Sequence, residues 1–203
     1  MANLLALSKR GLRRVSCLIV VTLLAGSVFL ISVPLKAETL FDSTTNPIFG
    51  LDPVSDGIKI AASFSTGNGP VRLSNLTLRW RRDSAQTGDI RILLLNDNNG
   101  RPGSVLNNLA LIDSRTLPTG DQWLSIPIKN EKALKEKNRY WIEITASGSA
   151  GFVAYSRERN GQGVATESYV NMYGLHRNTE TGPYIFKLTS FEKNTVGSAT
   201  SFH

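Results

Sequence analysis

The chain has 203 residues and a formal net charge of +7, with one cysteine and two histidines. Five of its 23 basic residues precede residue 38, so residues 38–203 hold 18 basic and 16 acidic side chains, too balanced for strong attraction to nucleic-acid phosphates. Because the cysteine is Cys17, residues 38–203 offer no disulfide, no thiolate metal ligand and no cysteine nucleophile, and we expect no nucleic-acid partner.

The first 37 residues have the layout of a secretory signal. Residues 1–14 hold four basic and no acidic side chains, and residues 15–35 carry no charge. Small residues before the Ala37–Glu38 bond suit cleavage there. The apolar stretch is longer than the ~7–15 residues of a usual signal core and approaches the ~20 that span a bilayer. We therefore expect a cleaved signal peptide or an uncleaved N-terminal anchor, a secreted or envelope-exposed protein, and membrane contact only through this segment.

Alternation of apolar and polar residues predicts β-strands from residue 57 onwards. In NLTLRW, Leu76, Leu78 and Trp80 fall on one side and the polar residues on the other. The stretches IKIAASF, DIRILLL, QWLSIPI and RYWIEIT alternate in the same way, and GFVAYS, ESYVNMYG and PYIFKLTSF predict further strands. Glycine- and asparagine-rich turns separate them. This pattern predicts an all-β fold, an antiparallel, jelly-roll-like β-sandwich over residues 57–192.

Three other segments do not alternate. The stretch KNEKALKEKN has helical composition, and it predicts one short helical turn near residues 130–137 that packs across an end of the sandwich. Residues 38–56 are expected to form a loosely held N-terminal extension, and residues 193–203 a flexible C-terminal tail.

The order of several motifs along the predicted sandwich matches a known kind of surface module. Phe-Ser-Thr-Gly at 64–67 precedes Leu-Ser-Asn-Leu-Thr-Leu at 73–78, and Ile-Arg-Ile-Leu-Leu-Leu runs into Gly-Arg-Pro-Gly at 100–103. A leucine, an asparagine and then Tyr-Trp-Ile follow within 134–142. This order resembles the bacterial choice-of-anchor R domains. The resemblance implies an exported β-sandwich without assigned catalytic residues, although this chain shows no C-terminal anchor signal.

The polar run NDNNGRPG allows either a calcium loop or a connection between strands. In the pattern D-x-[DN]-x-[DN]-G, Asp97 would take the third position, but Leu95 would take the first, where an oxygen ligand is required. Asn99 and Gly100 tolerate positive φ, so the same residues suffice for a turn. We predict the turn, with Asp97 as the secondary calcium candidate and no cofactor.

Catalytic patterns are incomplete in this sequence. The stretch SGSAG resembles a G-x-S-x-G elbow, but Ser147 replaces the first glycine, and a flexible loop between strands explains it better. A serine–histidine–acid triad would have to use His176, since the only other histidine is the terminal His203. The scattered acidic residues identify no pair for acid–base hydrolysis. We therefore expect a non-catalytic protein, with a secreted hydrolase as the remote alternative.

Aromatic and basic residues supply the candidate ligand contacts. Trp141 should point away from its two neighbours to the opposite sheet face, where an exposed ring could stack on a sugar. Burial is the commoner fate of a tryptophan in such a run, so the exposure of Trp141 separates the two interpretations. Tyr155 and a stripe formed by Arg79 and Arg81 complete the candidate contacts for a polysaccharide. The leading hypothesis is an adhesive, scaffolding or matrix module that contacts polysaccharide or other envelope components, and the alternative is a carbohydrate-binding module.

Overall fold

The computed structural model describes residues 37–128, 133–171 and 182–191. Within these ranges there are ten strands and a 3-10 helix at Ser114–Thr116. The strands are β1 (Glu38–Asp42), β2 (Gly50–Ser55), β3 (Lys59–Ser65), β4 (Arg72–Arg82), β5 (Thr87–Asp97), β6 (Pro102–Asp113), β7 (Gly120–Pro127), β8 (Arg139–Tyr155), β9 (Tyr169–Asn171) and β10 (Phe186–Phe191). All their pairings are antiparallel, which confirms the predicted all-β, antiparallel, sandwich-like class.

The ten strands form one sheet that curls over itself. Its first layer has the strand order β1-β10-β4-β7, and its second layer has the order β6-β5-β8-β3-β9. The long strand β8 belongs to both parts of the curl. Its first half pairs with β3 and β5, whereas its second half pairs with β2 and, at Phe152 and Val153, with β4. This crossing strand therefore links the two layers.

Glycines allow β8 to cross between the layers. A Cβ atom on residue 151 would lie 2.4 Å from the ring of Trp80, so only glycine lets the two strands approach this closely there. Gly148 has a φ of 74°, which glycine adopts without strain. Residues 147–151, predicted as a loop between strands, instead continue the strand, because these glycines bend it without ending its pairing.

The core lies between the two layers and is built from alternate side chains. Leu76, Leu78 and Trp80 all point inward from β4, as predicted. Ile60 and Ile142 face them from the second layer. Full burial of one such aliphatic side chain contributes roughly 1.5–3 kcal/mol relative to exposure. A void of about 10 Å³ between the layers is lined almost wholly by apolar side chains, and it has room for one water at most.

The segment predicted as an N-terminal extension is part of the sheet. Strand β1 pairs with β10, and β2 pairs with the second half of β8. Phe41 is fully buried, and its ring stacks on Phe186 at 4.2 Å between centroids. Val54 on β2 is also fully buried. Prolines and short strands hide the alternation of residues 38–56, so their pairing with distant strands could not be deduced locally.

The helical turn predicted near residues 130–137 is wrong where the structure describes it. Residues 129–132 lie outside the described ranges. Leu134 forms a β-bridge with Val71, with backbone hydrogen bonds of 2.7 and 3.2 Å, and is buried in the core. Lys137 then turns the chain with a φ of 52°. Lysine and glutamate favour helices, but intrinsic propensity is a small effect that tertiary contacts override, and burial of Leu134 outweighs it here.

The proposed signal, apart from Ala37, and the predicted C-terminal tail lie outside the described residues. Within the residues that are described, no helix combines the length and the apolar character needed to cross a bilayer.

Candidate functional site

The NDNNGRPG segment forms a tight hairpin turn between β5 and β6. The backbone N–H of Asn98 donates to the carbonyl of Arg101 over 2.9 Å, and the N–H of Arg101 donates back over 3.2 Å. The two residues between them, Asn99 and Gly100, have φ angles of 54° and 77°. Positive φ at both central positions defines the type I′ turn, whose twist suits a two-residue hairpin. The predicted turn is confirmed.

The carboxylate of Asp97, the secondary calcium candidate, is engaged within the protein. Its Oδ2 accepts a hydrogen bond from the backbone N–H of Gly100 over 3.1 Å, and its Oδ1 accepts one from Nε1 of Trp141 over 2.8 Å. Asp97 therefore ties the hairpin turn to strand β8. No group of three or more potential metal-ligating side chains occurs in the described ranges.

We expect Gly100→Ala to lower the free energy of unfolding by about 1–2 kcal/mol, because an L-residue pays this cost in the left-handed region. Urea denaturation measures the loss. Gly67→Ala is the matched control, since Gly67 lies outside the left-handed region and an added methyl group there meets nothing within 4 Å. Equal stability of the two variants would contradict the assigned turn.

Trp141 lies on the outer face of the second layer and is nevertheless 0% exposed. It sits between Ser63 of β3 and Leu95 of β5, and it packs in a second apolar cluster with Ala61, Leu95 and Val170. The face predicted from alternation is correct. The ring offers no surface to a ligand, however, so the candidate contact at Trp141 is wrong.

A buried carboxylate stands beside Trp141 on the same face. Glu167 is 3% exposed, and it accepts hydrogen bonds from the hydroxyls of Ser63 and Ser65 and from Nε of Arg139, the last over 3.1 Å. The backbone N–H of Ser168 donates to the Ser63 hydroxyl over 2.8 Å. These contacts fasten the loop before β9 onto β3. No short spacing pointed to them, because Glu167 and Ser63 are 104 residues apart.

Tyr155 is half-buried at the end of β8, beside an exposed aromatic side chain that the sequence did not reveal. The ring of Phe49, which is 50% exposed, lies 5.9 Å from the ring of Tyr155 at a tilt of 51°. The guanidinium of Arg157 covers Phe49 at 3.5 Å from the ring centroid. One face of this aromatic pair is therefore already occupied by a cation of the protein itself.

Arg79 and Arg81 point outward from β4, on the outer face of the first layer. The Nε of Arg79 lies 2.7 Å from Oδ1 of Asp121, and its Nη2 donates to Oδ2 over 2.9 Å. Arg81 lies 3.7 Å from Asp83. The predicted basic stripe is therefore interleaved with carboxylates.

A third ion pair on this face joins Lys187 of β10 to Asp42 of β1 at 3.1 Å. Partial burial by itself raises the pKa of Asp42, but hydrogen bonds from the hydroxyl and backbone of Thr44 and the charge of Lys187 outweigh burial and lower the pKa. Asp42 thus keeps its charge beside Lys187. On this face, Arg79, Arg81 and Lys187 thus each lie beside a carboxylate of the protein.

Trp123 is an exposed aromatic side chain of this face. It lies on β7 directly opposite Arg79 and is 44% exposed. The guanidinium carbon of Arg79 lies 5.5 Å from the ring centroid. Alternation could have predicted this orientation, because Leu124 and Ile126 face the core and so turn Trp123 outward.

No family model matches the chain, and no curated protein matches it. Among solved structures, the chain is similar to a clostridial cysteine protease, Cwp84, after propeptide cleavage, at 10% identity and a TM-score of 0.50. The match covers 71% of this chain and 38% of that one. At this identity the likeness concerns the fold alone, and this chain corresponds to well under half of the protease's length.

Proposed function

We propose that the chain is an exported, non-catalytic β-sandwich module that acts in adhesion or scaffolding at the cell surface or in the extracellular matrix. The observation that carries this proposal is the position of β1, the first strand of the described residues. Strand β1 starts at Glu38, next to the bond predicted for cleavage. Removal of residues 1–37 would therefore leave every described strand intact. The resemblance to choice-of-anchor R domains supports the same conclusion.

The contacts of the described residues favour a structural role for two carboxylates, the buried one of Glu167 and the partly buried one of Asp97. Glu167 holds a loop on β3, and Asp97 holds a turn against β8. His176 and His203, on which a serine–histidine–acid triad would depend, lie outside the described residues. No observation on the described residues favours the secreted hydrolase.

A carbohydrate-binding role is the second candidate, and the exposed ring of Trp123 favours it. The site would differ from the one predicted, because Trp141 is buried. The two roles are compatible, since adhesion to a polysaccharide matrix requires a sugar contact.

Expression of the full chain with a C-terminal tag tests export. We expect the tagged protein in the envelope or medium with Glu38 as its first residue. The double variant Leu23→Arg, Leu24→Arg should keep it unprocessed in the cytosol, because each charge in the apolar segment costs about 2.5–3.5 kcal/mol on insertion. The variant Leu23→Ile, Leu24→Ile is the matched control. An unprocessed cytosolic wild-type chain would refute export.

Deletion of the gene tests the adhesive role separately. We expect weaker cohesion between cells or weaker attachment to their matrix, restored by the wild-type chain and not by the double-arginine variant. Unchanged cohesion in the deletion strain, with export intact in the parent, would contradict adhesion.

A further inference from the structure

The outer face of the first layer carries a single exposed tryptophan in polar surroundings. On β7 and β4, the outward residues nearest Trp123 are polar or charged: Asp121, Ser125, Thr77, Arg79 and Arg81. Ser125 lies two residues along the strand, hence about 7 Å from Trp123. One flat apolar ring is thus bordered by hydroxyl, guanidinium and carboxylate groups.

The polar groups beside the ring are held in place before any ligand arrives. Arg79 contacts Asp121 through both Nε and Nη2, and the same guanidinium lies over Trp123. The next outward pair along β4 and β7 is Thr77 and Ser125. Asn75 Nδ2 donates to Thr77 Oγ1 and to Ser125 Oγ, each over 3.0 Å. Groups fixed in this way lose little conformational entropy on binding, so they favour recognition of a polar ligand.

The charges of this face select against an acidic ligand. Arg79, Arg81 and Lys187 each lie within 4 Å of a carboxylate of the protein. An acidic polysaccharide would have to compete with these carboxylates, whereas a neutral one would use them as hydrogen-bond acceptors.

The chemistry of the face also distinguishes a sugar from a protein partner. The buried core of a protein interface is enriched in aromatic and apolar side chains, and a lone tryptophan among ion pairs supplies little of this area. A pyranose ring matches it better, since one face of the sugar presents C–H groups to an aromatic ring while its edge presents hydroxyls.

We propose that this face is a binding site for a neutral glycan, with Trp123 as the stacking platform and Arg79, held by Asp121, as the hydrogen-bonding group beside it. The inference deepens the proposed function and rests on it, because it names the ligand of a non-catalytic surface module. The exposed face of Trp123 and the polar edge formed by Thr77 and Ser125 set the orientation of the sugar.

Tryptophan fluorescence of the exported protein provides the test. Trp80 and Trp141 are 1% and 0% exposed, so quenching by acrylamide reports on Trp123. The probes are hexasaccharides of glucose, mannose and N-acetylglucosamine, with oligogalacturonate as the acidic comparison. We expect at least one neutral hexasaccharide to give a saturable change in emission and to protect Trp123 from quenching. Absence of both effects for all three neutral sugars would overturn the proposal.

The affinity of variants for the sugar that binds, measured by isothermal titration calorimetry, locates the site. Trp123→Ala should weaken binding about tenfold or more, since stacking supplies on the order of 1.4 kcal/mol. Arg79→Lys should weaken it several-fold, because lysine lacks the planar fork. Phe49→Ala is the matched control, an equally exposed aromatic side chain elsewhere, and should bind as the wild type does. An equal loss in Phe49→Ala would place the ligand at the Phe49–Tyr155 pair and refute the proposal.

The salt dependence of binding and the oligomeric state of the protein distinguish a neutral-glycan site from ionic binding and from self-association. Binding of a neutral sugar should change little between about 0.02 and about 0.5 M salt, whereas ionic binding should fall steeply. If oligogalacturonate bound more strongly than the neutral sugars and its binding fell with salt, the proposal that the ligand is neutral would be overturned. A dimer that dissociates in Trp123→Ala would assign the ring to self-association instead. If the protein is exported but binds no glycan, only the proposed glycan site is refuted. If it binds a glycan but stays in the cytosol, only the proposed function is refuted.

Discussion

Replacing Trp141 with alanine is expected to lower the free energy of unfolding by about 3–5 kcal/mol, the usual cost of removing a fully buried tryptophan. The change leaves a cavity in the apolar cluster that Trp141 forms with Ala61, Leu95 and Val170. It also removes the hydrogen bond from Nε1 to Asp97, so the hairpin turn loses its tie to β8. Urea denaturation followed by far-UV circular dichroism measures the loss.

Trp123→Ala is the control for Trp141→Ala. The same residue type is removed, but the Trp123 ring is nearly half exposed, and we expect a loss of about 1 kcal/mol or less. Trp141→Phe should fall between the two, because it keeps most of the packing and loses the hydrogen bond. Equal stability of the Trp141→Ala and Trp123→Ala proteins would contradict the burial of Trp141.

Replacing Glu167 with alanine is expected to cost about 3 kcal/mol, because hydrogen bonds to a charged group contribute about 1.5–3 kcal/mol and this carboxylate accepts several. The substitution leaves Arg139 without its buried partner and leaves the hydroxyls of Ser63 and Ser65 without their acceptor. We also expect the loop before β9 to be cleaved faster by added protease, since these contacts fasten it to β3.

Two substitutions test whether the buried contacts cause the effect of Glu167→Ala. Glu158→Ala removes a carboxylate from the same loop, where Glu158 is exposed and accepts a side-chain hydrogen bond from Asn160, and should change stability by about 0.5 kcal/mol at most. Glu167→Gln keeps the shape and part of the hydrogen bonding, so it should be destabilised less than Glu167→Ala. A wild-type unfolding curve for Glu167→Ala would rule out the fastening role.

Strands with clear alternation were predictable because the two sides of a β-strand differ in environment. Leu76, Leu78 and Trp80 face the core as expected, and the Asn99–Gly100 pair turns the chain as expected. Strands β1 and β2 were not predictable, since five or six residues containing aspartate, proline or glycine carry no clear period. Their pairing partners, β10 and β8, are remote along the chain.

The candidate site was likewise predictable from the sequence only in part. The alternation of side chains along a strand placed Trp141 on the face opposite Ile142, and the same rule would place Trp123 on the face opposite Leu124. It could not tell which of the two outer faces would be covered. That depends on which distant residues pack there, and the structure brings Val170 and Asp97 onto Trp141 but leaves Trp123 open.

The amino-acid sequence by itself determined the alternating strands, the glycine turns and the export-like N-terminal segment, since each depends on residues within a short window. Only the tertiary structure decided which tryptophan is buried, which arginine is paired with a carboxylate and that Glu167 holds a loop. These properties arise from contacts between residues tens to over a hundred positions apart, and burial in such contacts, rather than local pattern, sets the environment of a side chain.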